Sequence, residues 1–252
     1  MKSIKSYLRV AHFAIFAISL FLPSISGARI ELVTFNAVYS EDFDSFDGTS
    51  DPFGWRVSDL PGATASEWLG TGTGSSTSGG LYAFGSAEYS LGFLPSATRA
   101  IFADLSFVNA TGTVLDSFTF GYDAEQWRAS LGGRDNGWTV SYRVGDSAFE
   151  ELDALRFFGD FTLQTGAIDG GVTTSLEQTV HGLSMGDGEI LEFRFFGDNT
   201  GTSSTSGSRQ GVAIDNVQVT VAPIPEPSTY AFLAGIMVFC VALFFRRRFP
   251  NS

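Results

Sequence analysis

Asp215 stands in GVAIDNVQVTV, two residues before Val217, which alternates with Val219 and Val221. Period two puts its carboxylate in phase with an apolar stripe. A carboxylate on a core face must be compensated, because burying an unpaired charge costs several kcal/mol or forces protonation. Structural calcium is one solution, since it takes about six to eight oxygen ligands at about 2.3–2.6 Å. The stretch SEDFDSFDG offers Glu41, Asp42, Asp44 and Asp47 as further oxygens. Hydrogen bonds to a turn, or a bulge that puts Asp215 outside, are the alternatives.

The tryptophans pose a second question of chemistry. Trp55, Trp68, Trp127 and Trp138 can stack on sugar rings or fill a core. Trp138 sits in an apolar stripe and reads as core. Trp68 and Trp127 sit in no clear stripe and are the candidates for a glycan platform. Glu125 and Glu192 face away from apolar stripes and read as solvated. A glycoside-cleaving pair would need an exposed concave face with carboxylates about 5–10 Å apart. His181 is the one histidine outside the N-terminal apolar segment, in the turn-like TVHGLSMGDG. No G-x-S-x-G, H-E-x-x-H, P-loop or dinucleotide fingerprint accompanies it. The single Cys240 lies in the terminal apolar run, so the middle has no disulfide and no thiolate ligand. The expectation is a protein that is not an enzyme.

These groups must be positioned by strands. Phe118, Phe120 and Tyr122 share one face of SFTFGYDAEQW, and Trp138, Val140, Tyr142 and Val144 share one face of GWTVSYRVGD. Leu191, Phe193 and Phe195 do so in EILEFRFFGD, with Glu192 and Arg194 opposite. Short period-two runs between Gly, Asp, Asn and Ser predict an all-β, antiparallel, jelly-roll-like sandwich over 29–222. The Gly/Ser/Thr stretches near 70–80 and 199–211 read as loops, because strand-like sequence continues on both sides.

The ends read differently. MKSIKSYLR, then HFAIFAISLFL, then Ser26-Gly27-Ala28 is a basic, apolar and small-residue order, which predicts a signal peptide over 1–28 cleaved after Ala28 by signal peptidase. From Thr229 to Phe245 no charge occurs, and at about 1.5 Å per residue this run makes a helix of roughly 25 Å, near the short limit for a transmembrane span. Arg246, Arg247 and Arg248 follow and place that end in the cytoplasm. Between the ends lie all 27 acids and only nine basic residues, every one arginine. A field that negative disfavours nucleic acid and suits an exported domain.

Pro225-Glu226-Pro227, a short apolar helix and the arginine cluster together resemble the PEP-CTERM sorting signal of Gram-negative bacteria. The resemblance implies a membrane-anchored precursor over 223–252 that an exosortase cleaves near the motif and passes to the cell surface or extracellular matrix. Pro225, Glu226 and Pro227 would then be substrate residues; the two prolines hold an extended segment that a protease cleft can bind. FVNATGTVLDSFTFGYDAEQWR resembles a segment of such surface proteins, through Asn109, Thr111, Gly112, Tyr122, Glu125, Gln126, Trp127 and Arg128. GVAIDNVQVTV is similar to the last strand of jelly rolls related to carbohydrate-binding modules. In those folds the first and last strands lie side by side, which would bring Glu41, Asp42 and Asp44 towards Asp215. Three functions stay open: a structural or adhesive surface protein first, a carbohydrate-binding module of the extracellular polysaccharide as the alternative, and a matrix hydrolase third.

Overall fold

The computed structural model describes residues 29–58, 68–95, 100–132, 136–197, 208–223, 232 and 234–240. Two seven-stranded sheets pack face to face. The first contains β1 (Ile30–Leu32), β3 (Trp55–Ser58), β7 (Ile101–Asn109), β9 (Gly137–Val144), β10 (Glu150–Glu151), β11 (Phe157–Phe158) and β13 (Ile190–Gly197). The second contains β2 (Val38–Glu41), β4 (Trp68–Gly72), β5 (Gly80–Gly85), β6 (Tyr89–Leu94), β8 (Leu115–Ala129), β12 (Gly166–Met185) and β14 (Gly211–Pro223). Pairing is antiparallel except for β1 with β7 and β4 with β5. The all-β sandwich read from the alternation is therefore the observed architecture.

The predicted stripes meet in the core. Phe118, Phe120 and Tyr122 from β8 face Leu191, Phe193 and Phe195 from β13, and all six are buried. Phe193 lies edge-on to Phe118 at 4.9 Å and tilted on Phe120 at 4.3 Å between ring centres. Offset and edge contacts of this kind add about 0.5–1.5 kcal/mol each beyond area burial. Trp138 is buried against Phe93 and Phe195, as its stripe predicts.

The outer face of the first sheet is closed by ions. Asp104, buried on β7, accepts from Arg194 Nε and Nη2 at 2.7 and 2.8 Å and from Arg56 Nη2 at 2.6 Å. Arg194 also lies over Phe102 and Phe149. Forked contacts to one carboxylate compensate its burial, so this face is structural closure rather than an open site.

Asn109, Thr111 and Gly112 fasten turns. Buried Asn109 donates through Nδ2 to the carbonyls of Thr113, Met185 and Gly186 and accepts from the Thr111 amide and hydroxyl. Gly112, at φ +73°, donates its amide to Asp187. Thus N-x-T-G locks the β7–β8 turn to the β12–β13 turn. Tyr122 donates to the Leu155 carbonyl at 2.6 Å, and Gln126 donates to Gln210 and to the Asp160 carbonyl.

The expected signal peptide with Ala28, the Pro225-Glu226-Pro227 motif and Arg246–Arg248 lie outside the described residues, as does the stretch 199–207. Of the predicted span 229–245, residues 232 and 234–240 are described and helical. Among the described residues no helix is long and apolar enough to cross a membrane.

Candidate functional site

Period two carries through β14 only as far as Asp215. Asp215 pairs with Asp123 of β8, but Gln218 pairs with Gly121, so β14 holds one extra residue here. Asn216 sits in the left-handed region at φ 47°, which Asn tolerates better than most residues. This bulge resets the phase: Val212 and Ile214 point inward before it, and Val217, Val219 and Val221 after it. Asp215 therefore points to the outer face, not into the valine stripe. The premise that put it in the core is corrected, and the alternative of a bulge is the observed one. The bulge also marks a change of neighbour, because the same edge of β14 pairs with β6 through 212–214 and with β2 through 217–220.

Three carboxylates gather on that outer face. On β8, Asp123 and Glu125 alternate with the buried Tyr122, Ala124 and Gln126. Asn216 joins Asp123 to Asp215: its Nδ2 donates to Asp123 Oδ2 at 3.0 Å and to Asp215 Oδ2 at 3.2 Å. The two contacts share one nitrogen, so the oxygens lie within about 6 Å of each other. Ser175 of β12 donates to Asp123 Oδ1, and the Asn216 amide donates to Asp215 Oδ1. Burial pushes the Asp215 carboxyl up to about 7, and Glu125, Asp123 and Asp44 add to the rise; the Asn216 amide opposes it. Near neutral pH this group holds or releases a proton, so the charge of the face is adjustable.

Trp127 forms a wall rather than a free platform. Phe84 stacks near it at 6.2 Å and 23°. Gly171 lies against the indole, where an added Cβ would come within 3.3 Å of the ring. Its Nε1 donates to Glu125 Oε2 at 2.6 Å and so fixes the carboxylate that faces the groove. Trp68 is not in this groove. It is half-buried, edge-on to Phe46 at 4.9 Å, and donates Nε1 to Asp51.

Two adjoining hollows make the groove. One, of about 550 Å³, is lined by Phe84, Glu88, Trp127, Glu125 and Thr173 and reaches Asp123, Asp215 and Asn216. The other, of about 450 Å³, continues past Asp123 and Asn216 to Gly121, Ser175, Glu177 and Gln218. Among the described residues no lysine, arginine or histidine lines either hollow. Such a surface can accept hydrogen bonds from several hydroxyls and present an apolar wall to a ring, and it repels anions.

Of the acids near residue 41, Asp44 comes near enough to Asp215 to raise its carboxyl, while Glu41 and Asp42 engage local amides. The expected adjacency of first and last strands does not hold for β1, which pairs with β7, but the second strand, β2, does lie beside β14, with Glu41 in register with Val217. Glu41, however, turns back to accept from the Phe43 amide, and burial with Asp42 nearby raises its carboxyl above the ordinary range. Asp42 accepts from the Asp44 amide at 3.2 Å. Among the described residues no group of three or more acidic, histidine or cysteine side chains is disposed to hold a metal ion. Asp123, Asn216 and Thr173 were not singled out from the sequence. Alternation in FGYDAEQW does put Asp123 beside Glu125 and Trp127; only the bulge and the pairing bring Asp215, Asn216 and Thr173 to them.

No protein-family model matches the chain, and no curated protein matches it in sequence. Among solved structures it is similar to the K1 cleaved adhesin domain of Lys-gingipain from Porphyromonas gingivalis W83, at 15% identity and a TM-score of 0.40, covering 73% of this chain and 98% of that one. It is similar to the CBM22-2 xylan-binding domain of Xyn10C from Paenibacillus barcinonensis, at 12% identity and 0.37, covering 73% and 99%. It is also similar to the enzymatically active domain of bacteriophage CBA120 tailspike protein 4, at 11% identity and 0.38, covering 72% of this chain but only 20% of that one. At these values neither ligand nor activity is carried over to this chain.

Proposed function

We propose that the sandwich is a surface-displayed glycan-binding module whose site is the groove across β12, β8, β14 and the β5–β6 turn. The observation that carries this reading is the continuity of the two hollows at Asp123 and Asn216. Together they give a trough with carboxylate oxygens along its floor and Trp127 and Phe84 on its wall. Carboxylates accept bonds from sugar hydroxyls, and a lining whose described charged residues are all acidic selects a neutral chain over a uronic or sulfated one. The mature protein reaches the extracellular polysaccharide through its tail: exosortase recognises Pro225-Glu226-Pro227, after the apolar helix has held the precursor in the inner membrane. Supporting that anchor, the helical residues Ile236, Met237, Val238 and Phe239 are all exposed.

One observation favours hydrolysis as a second reading. Asp123 and Asp215 are a carboxylate pair within about 6 Å of each other in an open groove, a spacing that reaches the closer separation glycoside cleavage uses. Against it, Asn216 Nδ2 occupies the space between them, where a scissile bond would have to lie. Incubation with neutral oligosaccharides separates the two: binding without release of reducing ends is the expected result. A Glu125→Gln variant, whose amide oxygen still accepts from Trp127, should bind about 10–100-fold more weakly, the equivalent of one charge-assisted hydrogen bond.

A further inference from the structure

The edge of the second sheet is long and unguarded. β12 is the end strand in the sheet order, and from Val172 to His181 it pairs with β8 without interruption. Among the described residues β8 is its only sheet partner. Natural edge strands are blunted by proline, lysine, bulges or inward charges. Val172–Val180 reads V-T-T-S-L-E-Q-T-V, with no proline, no lysine and one charge, Glu177. Its irregularities lie outside this stretch, between Ala167 and Val172 and between His181 and Met185.

The same nine residues are nearly palindromic about Leu176. Side by side with an antiparallel second copy, centred there, like meets like. Val172 falls opposite Val180, Leu176 opposite Leu176, Thr173 opposite Thr179, Thr174 opposite Gln178 and Ser175 opposite Glu177. Glu177 never faces itself, so the pairing carries no direct charge repulsion. Val172 is 47% exposed, an apolar side chain without cover on a single sandwich. A two-fold axis makes such an interface self-complementary.

We infer that this edge pairs with the β12 of a second copy of the chain, joining two seven-stranded sheets into one continuous sheet across a two-fold axis at Leu176. Roughly eight to ten backbone hydrogen bonds form between the copies. Val172 and Val180 cover each other at both ends. Ser175, Leu176 and Glu177 line the second hollow of the groove, so the hollows of the two copies meet at the axis. The pairing stands on the strand itself and holds whether or not the groove takes a glycan.

Site-specific cross-linking of the full chain in mild detergent tests it, with Cys240→Ser removing the native thiol. Leu176→Cys places two sulfurs on the axis, where directly opposed Cα atoms about 4.5–5.5 Å apart suit a disulfide. Thr173→Cys is about 20 Å from its own copy in this register, six residues out of step. The expected result is at least tenfold more covalent dimer from Leu176→Cys than from Thr173→Cys, and its loss when Val172→Glu is added. Because Leu176 is half-buried, a mixture of Thr173→Cys and Thr179→Cys chains repeats the test at exposed positions and should give only the mixed dimer. Equal yields from Leu176→Cys and Thr173→Cys, no mixed dimer, or an unchanged yield with Val172→Glu would overturn the pairing.

Discussion

Replacing Asp215 with Asn should stabilise the sandwich above neutral pH and leave it nearly unchanged in acid. The Asp215 carboxyl rises from 3.8 to about 7 on folding, mainly through burial. A group whose folded value is the higher one takes up a proton when the chain folds. Stability is therefore greatest below the unfolded value, falls as pH climbs from about 4 through about 7, and is flat beyond. The undiscounted shift corresponds to about 4 kcal/mol. Asp215 is only half-buried, and solvent screening brings this to roughly 1–2 kcal/mol. The side-chain amide oxygen of the Asp215→Asn variant can still accept from the Asn216 backbone amide, while Asn216 Nδ2 keeps Asp123 as its acceptor. For a domain of this size, 1–2 kcal/mol moves the melting midpoint by roughly 2–8 °C. The assay is thermal unfolding by circular dichroism of residues 29–223, which hold every described strand, at pH 4 to 9 for wild type and Asp215→Asn. The variant should melt higher at pH 8 and converge with wild type near pH 4. A variant that is no more stable at pH 8, or a gap that does not change with pH, would show that Asp215 is not a strained carboxylate.

Three further outcomes are expected. Asn216→Gly should be tolerated and Asn216→Val should cost about 1–3 kcal/mol in urea unfolding, because a β-branched side chain resists the left-handed bulge. Calcium and magnesium at equal ionic strength should shift the melting midpoint of 29–223 alike, by screening, since the described acids form no ligand group; a calcium-specific rise abolished by Asp215→Asn would reinstate a structural metal. Replacing Pro225-Glu226-Pro227 by alanines should hold the chain in the inner membrane with its tail intact, as read by intact mass and fractionation; wild-type protein that keeps Arg246–Arg248 at maturity would leave a plain anchor.

The core was legible because its faces are strictly alternating. Phe118, Phe120, Tyr122, Leu191, Phe193 and Phe195 could be assigned to one interior from period two alone, and each is buried. The site was legible only in part. Glu125 and Trp127 lie on an uninterrupted strand, so their shared face follows from spacing. Asp215 was misassigned because one extra residue inverts every side chain beyond it, and a bulge centred on Asn leaves little mark in composition. The packing of Trp68 could not be read because its partners, Phe46 and Asp51, sit in a connection with no periodicity. The pairing of β2 with β14, and of β12 with β8, is a long-range choice that local pattern does not encode.

The most direct test of the account is equilibrium binding of a neutral oligosaccharide panel, and of polysaccharide released from the producing cells, to the wild-type sandwich and to Glu125→Gln. The variant should melt no lower than wild type, and wild type should bind a neutral chain with the variant about 10–100-fold weaker. A wild-type protein that binds no glycan, or a variant that binds as tightly as wild type, would contradict the assignment of the groove.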